Sequence, residues 1–192
     1  MKKLGWLLAA LLFANTLSAQ FVIDKDKVFD LRTRKDYIVR EYPGKTAEQL
    51  YNACIETLHT MDPDNPPRYE TVENETITIN QYSPNQIYSF SFFGRQQSMD
   101  IRMLATVRFT NGQVRIDSPS VNSLFYQGGT EDKVKFHFYY FNYEDYLNSS
   151  EDATPIYNRR GELKHPRIKQ SVEEYLNAYT TRIFNGIQAS LD

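Results

Sequence analysis

The sequence predicts a two-layer α+β fold in which a single antiparallel meander sheet carries an early helix and a long C-terminal helix on one face. Three observations lead to this prediction. Apolar and polar residues alternate through most of residues 69–143, apolar residues recur at helical spacing once before and once after that region, and Asn111-Gly112 lies near its centre. With both helices on one face, the other face of the sheet is expected to be open.

The Asn111-Gly112 pair sets the register of the predicted sheet. Both residues tolerate positive φ, and a two-residue Asn-Gly between alternating segments is the strongest short-range signal for a hairpin. The register places Arg108 opposite Arg115 on one face, with Arg102 further along the same strand. The other face receives the apolar residues Ile101, Met103, Ala105, Val107 and Phe109.

Turn and capping residues divide the rest of the chain. Thr46 and Gln49 form a capping-box pattern that begins the early helix, and the proline-rich segment 62–67 ends it. Pro84 predicts a turn between two strands, and Pro119 predicts that residues 120–124 bend away or form an edge. The predicted strands are residues 28–31, 37–42, 69–72, 76–82, 87–93, 99–110, 113–117 and 133–143, and the last helix spans about 166–189. The aromatic residues expected to point inward after the turn are Tyr88, Phe90 and Phe92.

The first 19 residues combine two lysines, an apolar run and a small-residue ending at Ala19, which is the pattern of a secretory signal peptide. We expect cleavage after Ala19, leaving residues 20–192 as a single α+β domain with no membrane span and no cysteine placed to carry a lipid. Cleavage leaves 20 basic against 24 acidic residues, a formal net charge of −4 that argues against nucleic acid as a partner. The expected location is the periplasm or the cell exterior.

The order of elements carries a resemblance. A strand, a helix, meander strands and a long C-terminal helix, with a YNRRG turn at residues 157–161 and the signal peptide, resemble a family of secreted Bacteroidetes-type proteins of unknown function. The resemblance implies a fold similar to that of the TATA-binding protein. It does not imply DNA binding, because one fold supports many functions and the charge is unfavourable.

The sequence contains no recognisable motif for catalysis or for cofactor binding. His59, His137 and His165 are isolated, Cys54 falls on the apolar stripe of the early helix, and no metal-ligand spacing or phosphate-binding loop occurs. We therefore expect no metal and no cofactor. Two alternatives stay open: a carboxylate-dependent hydrolase acting on envelope material, and a carrier that holds an apolar ligand beneath the last helix.

Two features suggest binding. The first is the arginine group Arg102, Arg108 and Arg115, which is either neutralised by Asp100 and Asp117 or available to a carboxylate, a phosphate or an anionic sugar. The second is a row of side chains expected to point outward from the strand at 133–143. Its members are His137, Tyr139, Phe141 and Tyr143. They are either covered by a loop or by a second copy in a homodimer, or they stack on a sugar or a peptide.

These features together predict a secreted or periplasmic, non-catalytic binding domain. We expect its partner to be a protein of the cell envelope first and a glycan second, held by the open sheet face or by the aromatic edge strand.

Overall fold

A computed structural model describes residues 20–24, 27–90, 96–126, 157 and 162–192. The helices are α1 (Ala47–Met61) and α2 (Pro166–Leu191). The strands are β1 (Phe21–Asp24), β2 (Lys27–Asp30), β3 (Tyr37–Glu41), β4 (Arg68–Val72), β5 (Thr76–Phe90), β6 (Gln96–Thr110), β7 (Gln113–Asp117) and β8 (Ser120–Tyr126). The main sheet has the antiparallel order β3-β7-β6-β5-β4, with β8 also paired to β6, while β1 and β2 form a separate two-stranded sheet. The predicted α+β class is confirmed, and the predicted strand at 133–143 lies outside the described residues.

The predicted hairpin register is confirmed, and its tip docks on the start of α1. Arg108 pairs with Arg115 across β6 and β7, and Gly112 takes the positive φ of 77° that the turn requires. Asn111 does not adopt positive φ. Its side-chain carbonyl instead accepts a hydrogen bond from the Ala47 backbone N–H at 3.0 Å. Asn111 therefore contributes a contact between the hairpin and α1.

The start of α1 agrees with the capping box predicted from the sequence. The Thr46 hydroxyl accepts from the Gln49 N–H at 3.2 Å, and the Gln49 side chain accepts from the Thr46 N–H at 2.9 Å, which completes the capping box. Cys54 is fully buried, and burial raises the pKa of its thiol to about 12. The thiol therefore stays protonated and acts as a small apolar side chain.

The predicted turn at residues 83–86 is wrong, because β5 runs through it on one partner strand. Ser83 pairs with Ile101 and Ile87 pairs with Met99, so three residues of β5 stand opposite Asp100 alone and form a bulge. Asn85 adopts a φ of 55° there, and its N–H donates to the Asp100 carboxylate at 2.9 Å.

The bulge also corrects the predicted orientation of the residues that follow it. Ile87 is fully buried, whereas Tyr88, which the sequence placed inward, is 47% exposed. The prediction failed because it assumed that the chain reversed at Pro84 and began a new strand. A bulge leaves the chain running forward, so the odd-numbered inward positions of β5 continue through Ile87.

Pro119 interrupts the strand after the hairpin without removing it from the sheet. β7 and β8 run in the same direction and both pair with β6, with Thr110 opposite Gln113 in the first segment and Leu104 opposite Ser120 in the second. Among the strands that the structure describes, β8 pairs with β6, so residues 120–124 stay in the sheet and do not bend away from it. On this side, the long β6 is therefore paired with other strands along most of its length.

Both helices pack on the same face of the main sheet. They also touch each other, and a Cβ added at Gly186 of α2 would lie only 2.2 Å from the Thr57 methyl of α1. Full burial of an Ile, Leu or Val side chain contributes about 1.5–3 kcal/mol to folding. The predicted stripe of α2 is buried throughout, at Ile168, Val172, Leu176, Tyr179, Ile183 and Ile187.

Side chains of α2 form hydrogen bonds with the backbone of β1, in the way that a neighbouring strand would. The Asn177 amide accepts from the Phe21 N–H at 2.7 Å and donates to the Phe21 carbonyl at 2.9 Å, and Glu173 accepts from the Ile23 N–H at 2.6 Å. These bonds satisfy an exposed edge of β1.

Asp30 is the last residue of β2, and its carboxylate accepts hydrogen bonds from residues next to the β1–β2 sheet. Burial alone would raise the pKa of its carboxyl. The hydrogen bond from the Thr33 hydroxyl and those from the backbone N–H groups of Arg32, Thr33 and Gln20 outweigh burial, so the pKa lies below the ordinary 3.8. A carboxyl with a lowered pKa stabilises the fold above that ordinary value, and its contribution is lost as pH falls through the folded pKa.

We predict that Asp30→Asn lowers the free energy of unfolding at pH 7 by about 1–3 kcal/mol, because the amide cannot replace a carboxylate that accepts several hydrogen bonds. Urea denaturation at pH 7 and at decreasing pH would measure this, and the difference from wild type should shrink below pH 3.8. Asp36→Asn, an exposed change close by in the sequence, should have little effect. An equal loss at low and neutral pH would contradict this account.

Candidate functional site

The face of the main sheet opposite the helices carries polar and charged side chains. We call it the open face and define it by the outward residues of β4, β5, β6, β7 and β3. The central members are partly or fully exposed: Arg68, Thr78, Asn80, Tyr82, Arg102, Thr106, Arg108 and Arg115. The predicted arginine group Arg102, Arg108 and Arg115 therefore lies on one surface, as the hairpin register required.

Asp117 forms ion pairs with both members of the opposed pair Arg108 and Arg115 and offsets one of their two positive charges. Its carboxylate accepts from the Arg108 Nε at 2.7 Å and from the Arg115 Nε at 2.6 Å. The two arginine side chains are 50% and 37% exposed, so each ion pair contributes at most about 1 kcal/mol. The Arg115 guanidinium also lies 3.8 Å from the centre of the Tyr37 ring. This pair is thus held in place while both side chains stay partly exposed.

Asp100, the other acid considered as a partner for the arginines, is bonded elsewhere. It accepts from the Tyr82 hydroxyl at 2.5 Å and from the Asn85 N–H at 2.9 Å. The hydrogen bond to Asp100 raises the pKa of Tyr82, with burial adding to the effect. Tyr82 therefore stays protonated and is fixed against the bulge of β5, with the Arg102 guanidinium 6.0 Å from its ring centre.

A recess of about 340 Å³ opens on the same face, beside Tyr82. We call it the arginine recess. Its lining residues are Asn65, Pro66, Arg68, Asn80, Tyr82 and Arg102. Arg68 lies opposite Asn80, and Tyr82 lies opposite Arg102, so the two arginines flank β5 from either side.

A buried polar network fixes the wall of the arginine recess. The Gln81 amide nitrogen donates to the Asn65 carbonyl at 3.3 Å, to the Tyr82 carbonyl at 2.7 Å and to the Ser83 hydroxyl at 3.1 Å. Its oxygen accepts from the Tyr179 hydroxyl at 3.3 Å. Burial raises the pKa of Tyr179 far above its ordinary value, so this hydroxyl remains a donor. Gln81 thus connects helix α2 with the loop that lines the recess.

This network bears on the carrier alternative. A carrier requires an apolar cavity beneath Val172, Leu176 and Tyr179. The space next to Tyr179 instead holds polar side chains, because Gln81 is buried there. The layer beneath α2 is therefore not lined by apolar groups alone.

The four predicted residues of the aromatic row lie outside the described residues. They are His137, Tyr139, Phe141 and Tyr143, and their role stays a prediction. Within the described ranges, no three His, Cys, Asp or Glu side chains come close enough together to hold a metal ion. The helices in those ranges include none with the length and apolar character needed to cross a membrane.

Sequence reasoning missed Arg68, Asn65 and Asn80. Arg68 begins a short strand, and Asn65 lies in a loop that was interpreted only as the end of α1. The predicted meander order implies that β4 pairs with β5. The position of the loop that contains Asn65 could not be predicted, because it depends on the buried amide of Gln81.

The fold is similar to that of a DUF4468 family protein from Bacteroides ovatus. The TM-score is 0.50 at 14% identity, over 79% of this chain and 84% of that one. A TBP-like protein from Parabacteroides distasonis gives a TM-score of 0.49 at 11% identity, over 79% and 90% of the two chains. No family model and no curated protein matches the sequence. The first likeness confirms the predicted fold, and at this identity it shows the fold alone.

We predict that Asp117→Asn lowers the free energy of unfolding by no more than about 1 kcal/mol at low salt, because two exposed guanidinium groups then face each other without a carboxylate. Urea denaturation at low and high salt would show the loss fade as salt screens the repulsion. In an Arg108→Gln background the same change should cost less. A loss of several kcal/mol that is independent of salt would show that Asp117 has a different structural role.

Proposed function

We propose that this chain is a secreted or periplasmic, non-catalytic binding domain that uses its open face to hold a component of the cell envelope. The observation that carries the proposal is the position of the two helices. Both pack behind the main sheet, so the arginines of the open face are exposed and Asp117 holds two of them in a fixed arrangement. Such a face offers planar, bidentate donors to an acidic group.

The first candidate partner is a protein. The pair Arg108 and Arg115 is partly exposed, and the Arg115 guanidinium lies over the Tyr37 ring. Arginine and tyrosine are enriched where proteins bind each other. The aromatic residues Tyr139, Phe141 and Tyr143 would supply stacking area, and Arg108 and Arg115 would orient the partner, as the sequence predicts. A glycan is the second candidate, and the polar arginine recess favours it.

Site-specific photocross-linking in the native envelope tests this proposal. A photoreactive residue at Thr106, on the open face, should form a cross-linked adduct, and one at Glu174, on the exposed side of α2, should not. The adduct should fall at least about tenfold in an Arg108→Glu, Arg115→Glu variant, since reversing two charges repels an acidic partner. Cross-links from Glu174 and not from Thr106 would contradict the use of the open face.

The aromatic row is tested in the same assay. Tyr139→Ala with Phe141→Ala should leave the melting temperature nearly unchanged and abolish the adduct. A large loss of stability would show that these residues belong to the core. An unchanged adduct at an unchanged melting temperature would exclude Tyr139 and Phe141 from the binding surface.

The proposed location has its own test. Cleavage after Ala19 would convert the Gln20 nitrogen, 3.3 Å from the Asp30 carboxylate, into a charged amine. N-terminal sequencing of protein recovered from the envelope fraction should therefore begin at Gln20. A chain that retains its first 19 residues in that fraction would contradict the proposed cleavage.

A further inference from the structure

We propose that Asn111 is a deamidation site that the contact between the β6–β7 hairpin and the start of α1 keeps unreactive in the folded protein. The site is the Asn111-Gly112 pair at the hairpin tip. Asparagine is a thermolabile residue, and a following glycine has no side chain to hinder the reaction. The modification belongs to the chain itself and is independent of the partner proposed for the open face.

The reaction requires only water besides the chain. The Gly112 backbone nitrogen attacks the side-chain carbonyl carbon of Asn111, and the bond from that carbon to Nδ2 breaks. Nδ2 leaves as ammonia together with the proton that the Gly112 nitrogen gives up. Water then opens the cyclic imide at one of its two carbonyls, which gives aspartate or isoaspartate at position 111.

Both reacting groups are held by the segment that leads into α1. The Gly112 N–H donates to the Lys45 carbonyl at 2.8 Å, which favours the protonated nitrogen over the deprotonated form that must attack. The Asn111 side-chain carbonyl accepts from the Ala47 N–H at 3.0 Å. Ring closure rotates this side chain toward the Gly112 nitrogen, so it requires the hydrogen bond from Ala47 to break.

The same segment is anchored to helix α2. The Tyr42 N–H donates to the Gly112 carbonyl at 2.7 Å, and the Tyr42 hydroxyl donates to the Phe184 carbonyl at 2.9 Å. The Lys45 ammonium donates to the Leu191 carbonyl at 3.2 Å. Gly112 is therefore held through both its N–H and its carbonyl. The reaction has to wait for local opening of this contact.

The sequence contains a second Asn-Gly pair, Asn185-Gly186, which serves as an internal reference. This pair lies inside α2, where the Gly186 N–H belongs to the hydrogen bonding of the helix. The Asn185 side-chain carbonyl accepts from the Arg40 guanidinium at 3.0 Å. Its protection comes from α2, so a change confined to the start of α1 should affect Asn111 alone.

The modification would alter the hairpin tip permanently. Isoaspartate has an additional backbone carbon between positions 111 and 112, which moves the turn relative to its hydrogen-bond partners Lys45 and Ala47. A chain that carries isoaspartate therefore loses the contact with α1, and refolding does not restore it. Isoaspartate at this position marks molecules in which the contact has opened.

The substitution Ala47→Pro tests the proposal, because it removes the N–H that holds Asn111. Ala47 is the first residue of α1, and Thr46 before it is extended, with a φ of −81° and a ψ of 161°, so proline is compatible with this position. Ala47→Ser keeps the N–H and is the matched control. Peptide mass spectrometry of digested protein, after incubation in neutral buffer, measures isoaspartate at positions 111 and 185.

Ala47→Pro should speed the formation of isoaspartate at position 111 about three- to tenfold, because the loss of one hydrogen bond shifts local opening by such a factor. Position 111 in Ala47→Ser and position 185 in both variants should react as slowly as in wild type. In urea, the two sites of the wild-type chain should react at similar rates. Position 111 should then react at least about tenfold faster than in the folded protein.

Other results would overturn the proposal. An unchanged rate at position 111 in Ala47→Pro, or an equal increase in Ala47→Ser, would exclude control by the Ala47 hydrogen bond. Faster reaction at both positions in Ala47→Pro would assign control to general unfolding. If Ala47→Pro does not fold, the wild-type comparison decides, because equal rates at position 111 in buffer and in urea would show that the contact gives no protection.

Discussion

The structure depends on the burial of one sheet face beneath two helices that touch each other. The close approach at Gly186 and Thr57 brings α1 and α2 together over β5 and β6, and the apolar stripes of both helices cover the inward residues of those strands. This burial supplies the main favourable free energy of folding. The opposite face of the sheet therefore does not need to be apolar. Its side chains can be polar without weakening the core.

The open face holds two arrangements of arginine with different electrostatics. Arg108 and Arg115 share the carboxylate of Asp117, which orients both side chains and offsets one of their two positive charges. Arg68 and Arg102 line a recess beside Tyr82, whose hydroxyl is fixed by Asp100. The first arrangement lies on partly exposed strands, and the second lies in a recess of about 340 Å³. A polar network buried behind the sheet determines the shape of the second.

Much of the fold was predictable, and the errors arise from contacts between residues distant in the chain. The hairpin register, the capping box of α1 and the stripe of α2 were predicted correctly, because each depends on residues close in sequence. The turn at Pro84 was wrong, since the same residues serve a bulge when Asp100 on a neighbouring strand accepts the Asn85 N–H. The candidate site was predictable in part. Arg102, Arg108 and Arg115 were placed on the open face, but Arg68 and its recess were not recognised.

The sequence by itself determined which residues of the hairpin share a face, where both helices begin, and that Cys54 is buried. These properties follow from periodicity and capping, which act over a few residues. Only the tertiary structure decided that β5 continues past Pro84, that Asn111 holds the start of α1, and that a loop closes one side of the recess. Each of these depends on a hydrogen bond between residues far apart in the chain, and no local pattern encodes such a partner.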